Sequence, residues 1–151
     1  MTPSQNPNPD TKVNGEVRLD FAFELRARYE APRLQHTPKG QFRYQDLVSG
    51  AVRGARLNAK VYPNSGGQYD TVRADQVRDV DAHFILNAEN GERLYVEHFG
   101  YRAPAGYYRA IAFLDADTQG AYDWVNDTTF VVTAHESPDE REVVFTYYVS
   151  N

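Results

Sequence analysis

The chain contains no cysteine and no long apolar run, and these two absences exclude several classes of protein. Without cysteine there is no disulfide framework, no thiolate zinc site and no cysteine nucleophile. Residues 1–15 lack the apolar stretch of a signal peptide, and no later segment approaches the ~20 apolar residues of a membrane span. We therefore expect a soluble, cytoplasmic protein without a membrane partner.

The chain also lacks a large excess of positive or negative charge. The formal net charge is only -5, with arginines interleaved among the acids, so there is no basic stripe to follow a phosphate backbone and we expect no nucleic-acid partner. The length of 151 residues suits one domain, with residues 1–15 as a disordered tail and residues 16–151 as the folded part. A homodimer stays an open alternative.

Alternation of apolar and polar residues, with a period of two, is the dominant pattern of the sequence. From Val17 to Tyr29 apolar residues alternate with charged ones, which predicts a long strand with one dry face. Further strands are predicted over residues 41–48, 51–62, 71–74, 77–88, 93–103, 107–114, 128–135 and 142–150. Only residues 120–126 suit a helical turn, because no longer segment keeps the period of a packed helix.

These strands and their short connections predict an all-β protein, a single antiparallel and mostly up-and-down β-barrel of eight or nine strands. A β-sandwich is the main alternative. A barrel of this size has room for side chains or for one small ligand. The predicted interior set is Leu19, Phe21, Phe23, Leu25, Phe84, Leu86, Tyr95, Phe99, Tyr101, Phe145 and Tyr147.

The pair Asn90-Gly91 is the strongest hairpin signal in the chain. A two-residue turn at this point pairs Phe84 with Glu97 on one face and His83 with His98 on the other. The alternative is a type I turn with a bulge at Gly91, which moves the register by one residue and exchanges the inward set.

In the two-residue register, Glu97 is the first candidate for catalysis. A carboxyl beside Phe84, Tyr95 and Phe99 loses hydration, which raises its pKa into the range useful for a general acid or base. The alternatives are an arginine partner or a bulge that turns Glu97 outward.

The same register gives two further pairs of titratable groups. His83 opposite His98, with Asp81 nearby, suggests a proton relay or half of a metal site. Because opposed histidines are also common on solvated surfaces, we predict no bound metal and no cofactor. Asp79 opposite Arg102 is interpreted as a surface ion pair.

Tyr108 and Arg109 alternate along one strand, so one of them must point into the barrel. A buried tyrosine hydroxyl or a guanidinium can hold a developing oxyanion. Trp124 is interpreted as a plug at one barrel end that also contacts substrate, and Asp70 as a turn cap or a group near a ligand at the mouth. The predicted substrate-binding set is Phe84, Tyr95, Phe99, Tyr101, Trp124 and Asp70.

An ordered set of short segments resembles the domain-of-unknown-function family DUF3237. The segments are Gly50-Ala51-Val52-Arg53-Gly54-Ala55-Arg56-Leu57, Ser65-Gly66-Gly67-Gln68-Tyr69-Asp70, Asn90-Gly91, Leu94-Tyr95-Val96, Gly100-Tyr101-Arg102, Tyr107-Tyr108-Arg109 and Tyr122-Asp123-Trp124-Val125-Asn126. The resemblance implies a small barrel of lipocalin-like shape and no general activity. The segment between Arg102 and Tyr107 is short for the family, which predicts a reshaped barrel mouth.

Two functions follow for a barrel with an aromatic interior. The first is a cofactor-independent enzyme of natural-product biosynthesis, an isomerase, cyclase or lyase that moves a proton on a polyketide-like or phenolic molecule. The second is a module that binds such a molecule without turnover. A barrel filled with side chains and used for assembly is the third alternative.

Overall fold

The computed structural model describes residues 16–151, so the predicted tail at residues 1–15 lies outside the described part. Within that part no helix is long and apolar enough to cross a membrane. The strands are β1 (Leu19–Tyr29), β2 (Arg33–Thr37), β3 (Gly40–Gly54), β4 (Ala59–Val61), β5 (Gly67–Val72), β6 (Arg78–Ala88), β7 (Arg93–Arg102), β8 (Tyr108–Asp115), β9 (Phe130–Glu136) and β10 (Glu142–Ser150). A short 3₁₀ helix covers Asp123–Asp127.

The strands form one antiparallel sheet that closes on itself. From β6 to β10 each strand pairs with its neighbour in sequence, β10 pairs with β1, and β1 pairs with β3. The short strands β4 and β5 share one position between β3 and β6, while β2 pairs only with β3. The result is the predicted antiparallel barrel, closed by eight strand positions with extra strands. Closure removes the exposed edges that an open sheet would carry.

The β6–β7 hairpin adopts the bulged turn. The amide of Ala88 donates to the carbonyl of Glu92 at 2.8 Å, the amide of Gly91 donates to the carbonyl of Ala88 at 2.8 Å, and Gly91 has φ of +92°. Glycine takes this left-handed conformation without steric cost. Phe84 therefore pairs with Val96, and the register predicted from a two-residue turn is wrong by one residue.

Strand β1 contains a second register change. One extra residue lies between Phe21 and Phe23 relative to their partners on β10, which is a β-bulge. The bulge exchanges the two faces of the strand. Leu19 and Phe21 are consequently exposed, against the prediction, whereas Phe23 and Leu25 are buried as predicted.

The two ends of the barrel differ in chemistry. The apolar end, where β6 turns into β7, is crossed by residues 116–129, and Val125 of that segment is buried. Phe23, Leu57 and Phe130 are buried with it in one apolar cluster. The charged end, where β7 turns into β8, contains arginines and acids on inward positions. These polar side chains form the candidate site.

Candidate functional site

Six polar side chains are buried although the barrel is small, and most of them belong to the charged end. They are Arg43 and Gln45 on β3, Gln68 and Asp70 on β5, Arg78 on β6 and His98 on β7. On β3, β6 and β7 these residues are in phase with buried apolar residues of the same strand, and on β5 Gln68 and Asp70 flank the exposed Tyr69, so the alternation of each strand directs them inward.

Asp70 is the centre of this group. Its Oδ2 accepts a hydrogen bond from Gln68 Nε2 at 2.8 Å, and its Oδ1 accepts the backbone amide of Asp81 at 3.4 Å. Two arginine nitrogens flank the same carboxylate, Arg78 Nε at 3.7 Å and Arg43 Nη1 at 3.8 Å. Burial nevertheless raises the pKa of Asp70 to about 6. A carboxyl in this range can both accept and return a proton near neutral pH.

The ion pairs continue from Asp70 towards solvent. Arg78 Nη2 donates to Glu136 Oε2 at 3.1 Å, and Arg102 Nη2 donates to Glu136 Oε1 at 2.7 Å. Arg43 Nη2 donates to Glu140 Oε1. The Glu140 side chain is 30 % exposed and is the outermost member of the network. The charged end therefore meets solvent at Glu140.

Two buried donors at this end lack a hydrogen-bond partner among the described residues, Tyr29 Oη and Arg78 Nε. The 3.7 Å from Arg78 Nε to Asp70 exceeds an ordinary hydrogen bond. Burial raises the pKa of Tyr29 far above its usual range, and the charges of Asp70 and Glu136 raise it further. Since buried donors are nearly always paired in folded proteins, these two unpaired donors single out the charged end as the candidate site.

A fully buried histidine joins two tyrosines deeper in the barrel. His98 Nε2 lies 2.6 Å from Tyr147 Oη, and His98 Nδ1 lies 3.3 Å from Tyr108 Oη. Burial lowers the pKa of His98 to about 3. The imidazole is therefore neutral at pH 7, with one ring nitrogen donating and the other accepting. The rings of Phe84 and Phe145 pack edge-on against it.

The register change moves several predicted site residues to the outer wall. Glu97, the first candidate for catalysis, is exposed and lies opposite His83 on the neighbouring strand. The predicted interior placement of Tyr95, Phe99 and Tyr101 is wrong for the same reason: each has the parity of Glu97 on β7, and each is exposed. Tyr95 and Glu97 line an outer depression of about 480 Å³ instead.

The predicted pairing of two histidines is also wrong. His98 lies opposite Ala82 inside the barrel, whereas His83 is exposed on the outside and stacks on Tyr69 with ring centroids 4.9 Å apart. The exposed Asp81 lies opposite Phe99. Among residues 16–151 no cluster of three or more histidine or carboxylate side chains is arranged to hold a metal ion.

The alternation at Tyr108 and Arg109 is as predicted, with one side chain inside. Tyr108 is buried and Arg109 is exposed, its guanidinium 4.3 Å from the centre of the Tyr107 ring. The ion pair predicted between Asp79 and Arg102 does not form, since they are not directly opposite in the ladder. Arg102 turns inward to the network, and Asp79 lies 3.7 Å from Arg73.

Trp124 lies at the apolar end, far along the strands from the polar cluster. Its ring packs against Phe130 at 6.0 Å between centroids, and the guanidinium of Arg56 lies 3.8 Å above it. This placement agrees with a plug at one barrel end. Its predicted contact with substrate stays a prediction.

Several members of the cluster were not predicted, chiefly Tyr29, Arg43, Arg78 and Glu136. A signal for two of them exists in the sequence. Arg43 keeps the parity of the buried Leu47, and Arg78 keeps the parity of the buried Val80 and Ala82. A charged residue in phase with core positions is unusual enough to indicate a buried polar site.

The fold and the site together define a small closed β-barrel with a neutral polar interior and a charged end. Comparison with known proteins assigns the family. The chain belongs to the family of proteins of unknown function designated DUF3237, whose profile matches residues 17–112.

Three relatives illustrate how far the similarity extends. A UPF0311 protein of Clostridium acetobutylicum is 25 % identical over 142 residues, which cover 82 % of this chain and 89 % of the relative. The crystal structure of a beta-barrel like protein from Acinetobacter baumannii matches with a TM-score of 0.79 and 16 % identity, covering 92 % of this chain and 99 % of the other. The structure of an enzyme from Penicillium herquei matches with a TM-score of 0.75 and 18 % identity, covering 93 % and 98 %. At these identities the two structures support the fold alone.

Proposed function

We propose that the protein is a cofactor-independent enzyme that binds a small aromatic molecule at the charged end of the barrel and moves a proton on it. The reaction class is isomerisation, cyclisation, or addition and elimination on a polyketide-like or phenolic compound. Asp70 takes the role that the sequence assigned to Glu97. Tyr29 and Arg78 bind the oxygen on which negative charge develops.

One observation carries this proposal, the juxtaposition of a buried carboxyl with buried donors that have no partner. Asp70 is 1 % exposed, and Arg78 Nε lies 3.7 Å from its Oδ2. Tyr29 Oη is unpaired and close enough to Asp70 for that charge to raise its pKa. A base and two donors in one dry site are what proton abstraction next to a carbonyl or phenol requires.

The proposed proton transfer needs only Asp70, Tyr29, Arg78 and the substrate. Asp70 accepts a proton from carbon or oxygen of the substrate, and the electron pair moves to an oxygen held by Tyr29 and Arg78. The carboxylic acid then returns the proton to a second atom, which gives an isomer or closes a ring. Since the pKa of Asp70 is about 6, both steps are feasible near neutral pH.

The interior beyond Asp70 is aromatic and uncharged. Tyr108 and Tyr147 keep their hydroxyls on His98, and their buried rings pack against Phe145 and Phe23. Because His98 stays neutral, no second charge competes with the proposed oxyanion site. His98, Tyr108 and Tyr147 therefore back the charged end as a packed layer and take no part in the proposed proton transfer.

The relative from Penicillium herquei adds support from outside the chain. Its structure is described as that of an enzyme, and it shares the barrel over nearly its whole length. The fold thus accommodates catalysis in at least one protein. Because a fold does not determine a reaction, the residues of the charged end carry the argument here.

The second candidate is a binding module without turnover. It is favoured by the completeness of the ion-pair network, in which both carboxylate oxygens of Asp70 already have partners. In that function Tyr29 and Arg78 bind an acceptor oxygen, and Asp70 only holds the arginines in place. Both candidate functions use the same site, so a measurement of turnover has to distinguish them.

The test uses ring opening of 5-nitrobenzisoxazole, a flat aromatic probe. A base removes the proton from carbon, the nitrogen–oxygen bond breaks, and a coloured nitrophenolate forms. We expect the protein to accelerate this reaction with a rate that rises with pH through about 6, the pKa of Asp70. Asp70→Asn should lower the rate by about 100-fold or more, the usual contribution of a positioned base.

Glu97→Gln is the matched control, since it removes a carboxylate of the outer wall and should leave the rate unchanged. A wild-type rate in Asp70→Asn would overturn the proposal. No acceleration by the wild type, together with tight binding of the nitrophenolate product, would support the binding module. Loss of the rate in Glu97→Gln but not in Asp70→Asn would place the chemistry on the outer wall.

A further inference from the structure

The outer wall of the barrel has an unusual aromatic face on strands β7 and β8. Six large apolar side chains there are between 44 % and 59 % exposed: Tyr95, Phe99, Tyr101, Tyr107, Ile111 and Phe113. Those on β7 and β8 alternate with buried or half-buried residues, so they belong to the outward parity of the sheet. We call these six residues the β7–β8 face.

The β7–β8 face is contiguous except at Glu97, which is exposed on β7 opposite Phe113. Phe99 lies directly opposite Ile111 in the ladder, and Phe113 follows two residues later on the same side of β8. The rings of Tyr101 and Tyr107 stack with centroids 6.1 Å apart. With five aromatic side chains about half exposed, the accessible apolar area is roughly 600 Å². This is as large as the largest patch on a typical monomer, and a standard interface takes roughly 800 Å² from each partner.

The two charged residues on the outward side of β8 have opposite signs. On the outward side of β8, Arg109 and Asp115 lie at opposite ends, with Ile111 and Phe113 between them. Two copies that meet face to face with antiparallel β8 strands place Arg109 of each opposite Asp115 of the other. Ile111 of one copy then packs on Phe113 of the second, which is the reciprocal pattern of a two-fold interface.

We propose that the β7–β8 face is the interface of a symmetric homodimer of this chain. A second copy covers Ile111 and Phe113 and pairs the charged ends of β8 with the same four residues. The interior site does not enter this argument, so the dimer and the proposed catalysis stand or fall separately.

The first test is the oligomeric state of the full chain by analytical ultracentrifugation over a range of concentrations. We expect a dimer for the wild type and a monomer for Ile111→Glu, because the substitution puts two carboxylates into the apolar centre. Leu34→Glu is the control, since Leu34 is 59 % exposed on β2, outside the proposed interface. A monomeric wild type, or a dimer that survives in a folded Ile111→Glu variant, would overturn the proposal.

The second test exchanges the charges. Arg109→Asp and Asp115→Arg should each weaken the dimer about 10-fold or more, because like charges then face each other across the interface. The double variant restores both pairs in reversed order and should recover the wild-type dissociation constant. If the double variant is as weak as the single ones, a second copy does not occupy this face in the proposed orientation.

Discussion

The two ends of this barrel are filled by different kinds of side chain. At the apolar end, residues 116–129 cross the opening, and Val125 of that segment is buried together with Phe130. At the charged end, the side chains of Arg43, Arg78 and Asp70 are almost fully buried in ion pairs, while Glu140 stays partly exposed. Only the charged end buries groups that lose hydration at a cost.

The two ends are therefore expected to contribute differently to stability. Covering an opening with apolar side chains stabilises a fold by roughly 25 cal/mol for each Å² buried. A buried ion pair contributes about as much as the hydrophobic residues that could replace it, or less. Stability alone therefore does not account for the charged end, and the unpaired donors Tyr29 and Arg78 agree with the proposed site there.

The comparison predicts that the apolar end contributes most to stability. Phe130 is fully buried and its ring contacts those of Phe23, Trp124 and Tyr147. Phe130→Ala should lower the free energy of unfolding by about 3–5 kcal/mol, as for other large core deletions. Urea denaturation followed by tryptophan fluorescence and circular dichroism measures this change.

Leu34→Ala is the control for that measurement, because Leu34 lies exposed on β2. Its effect should stay within about 0.5 kcal/mol of zero. A loss below about 1 kcal/mol in Phe130→Ala would mean that the segment 116–129 does not close the barrel cooperatively.

His98 makes the middle of the barrel sensitive to acid. Its pKa falls from an ordinary 6.5 to about 3 in the folded chain, so the unfolded chain binds the proton more readily between these values. The stability that His98 contributes is present above pH 6.5 and is lost as the pH falls towards 3. Between pH 7 and pH 4 this amounts to about 3 kcal/mol.

His98→Gln should remove that acid sensitivity, since glutamine keeps one donor and one acceptor for Tyr108 and Tyr147. Thermal or urea unfolding at pH 7 and pH 4 gives the comparison. His36→Gln, an exposed histidine on β2, serves as the control. An unchanged difference between the two pH values in His98→Gln would show that the buried ring is not the group that titrates.

Asp70 should act in the opposite direction at the charged end. Its pKa is raised from 3.8 to about 6, so the folded chain binds the proton more readily than the unfolded chain. The contribution is present below pH 3.8 and is lost as the pH rises through about 6. Relative to Asp70→Asn, the wild type should lose about 2 kcal/mol between pH 4 and pH 7.

Unfolding of both proteins at a series of pH values measures this loss. Asp81→Asn, with its exposed carboxyl on β6, is the matched control. If wild type and Asp70→Asn differ by the same amount at pH 4 and pH 7, then the arginines keep the carboxyl ionised throughout, and the general-base role loses its physical basis.

The barrel itself was predictable from the sequence. Alternation along β1, β8 and β10, with turn residues between the strands, is sufficient for an antiparallel sheet, and closure follows from the cost of exposed edges. The side chains of Phe84, Leu86, Phe145 and Tyr147 were placed inside correctly. These predictions depend only on parity within one strand.

The candidate site was less predictable because it depends on the register between neighbouring strands as well as on the alternation within each strand. One residue in the turn at Gly91 decides whether Glu97 or His98 faces inward, and both turns suit the sequence Asn90-Gly91. The cluster around Asp70 joins β3, β5 and β6 with the turn at Glu140. No local pattern reveals that these residues meet, since they are far apart in the chain.

Glycine-to-alanine substitutions in the turns at the two ends give the smallest expected effect. Gly91 at the apolar end and Gly106 at the charged end have φ of +92° and +94°, and an added Cβ meets no atom within 4 Å at either position. Gly91→Ala and Gly106→Ala should therefore each cost about 1 kcal/mol, from backbone strain alone. Chemical denaturation of both variants checks this equality. A much larger loss at Gly106 would mean that the turn is held rigid by the ion pairs beside it, whereas no loss at Gly91 would contradict the positive φ found at that residue.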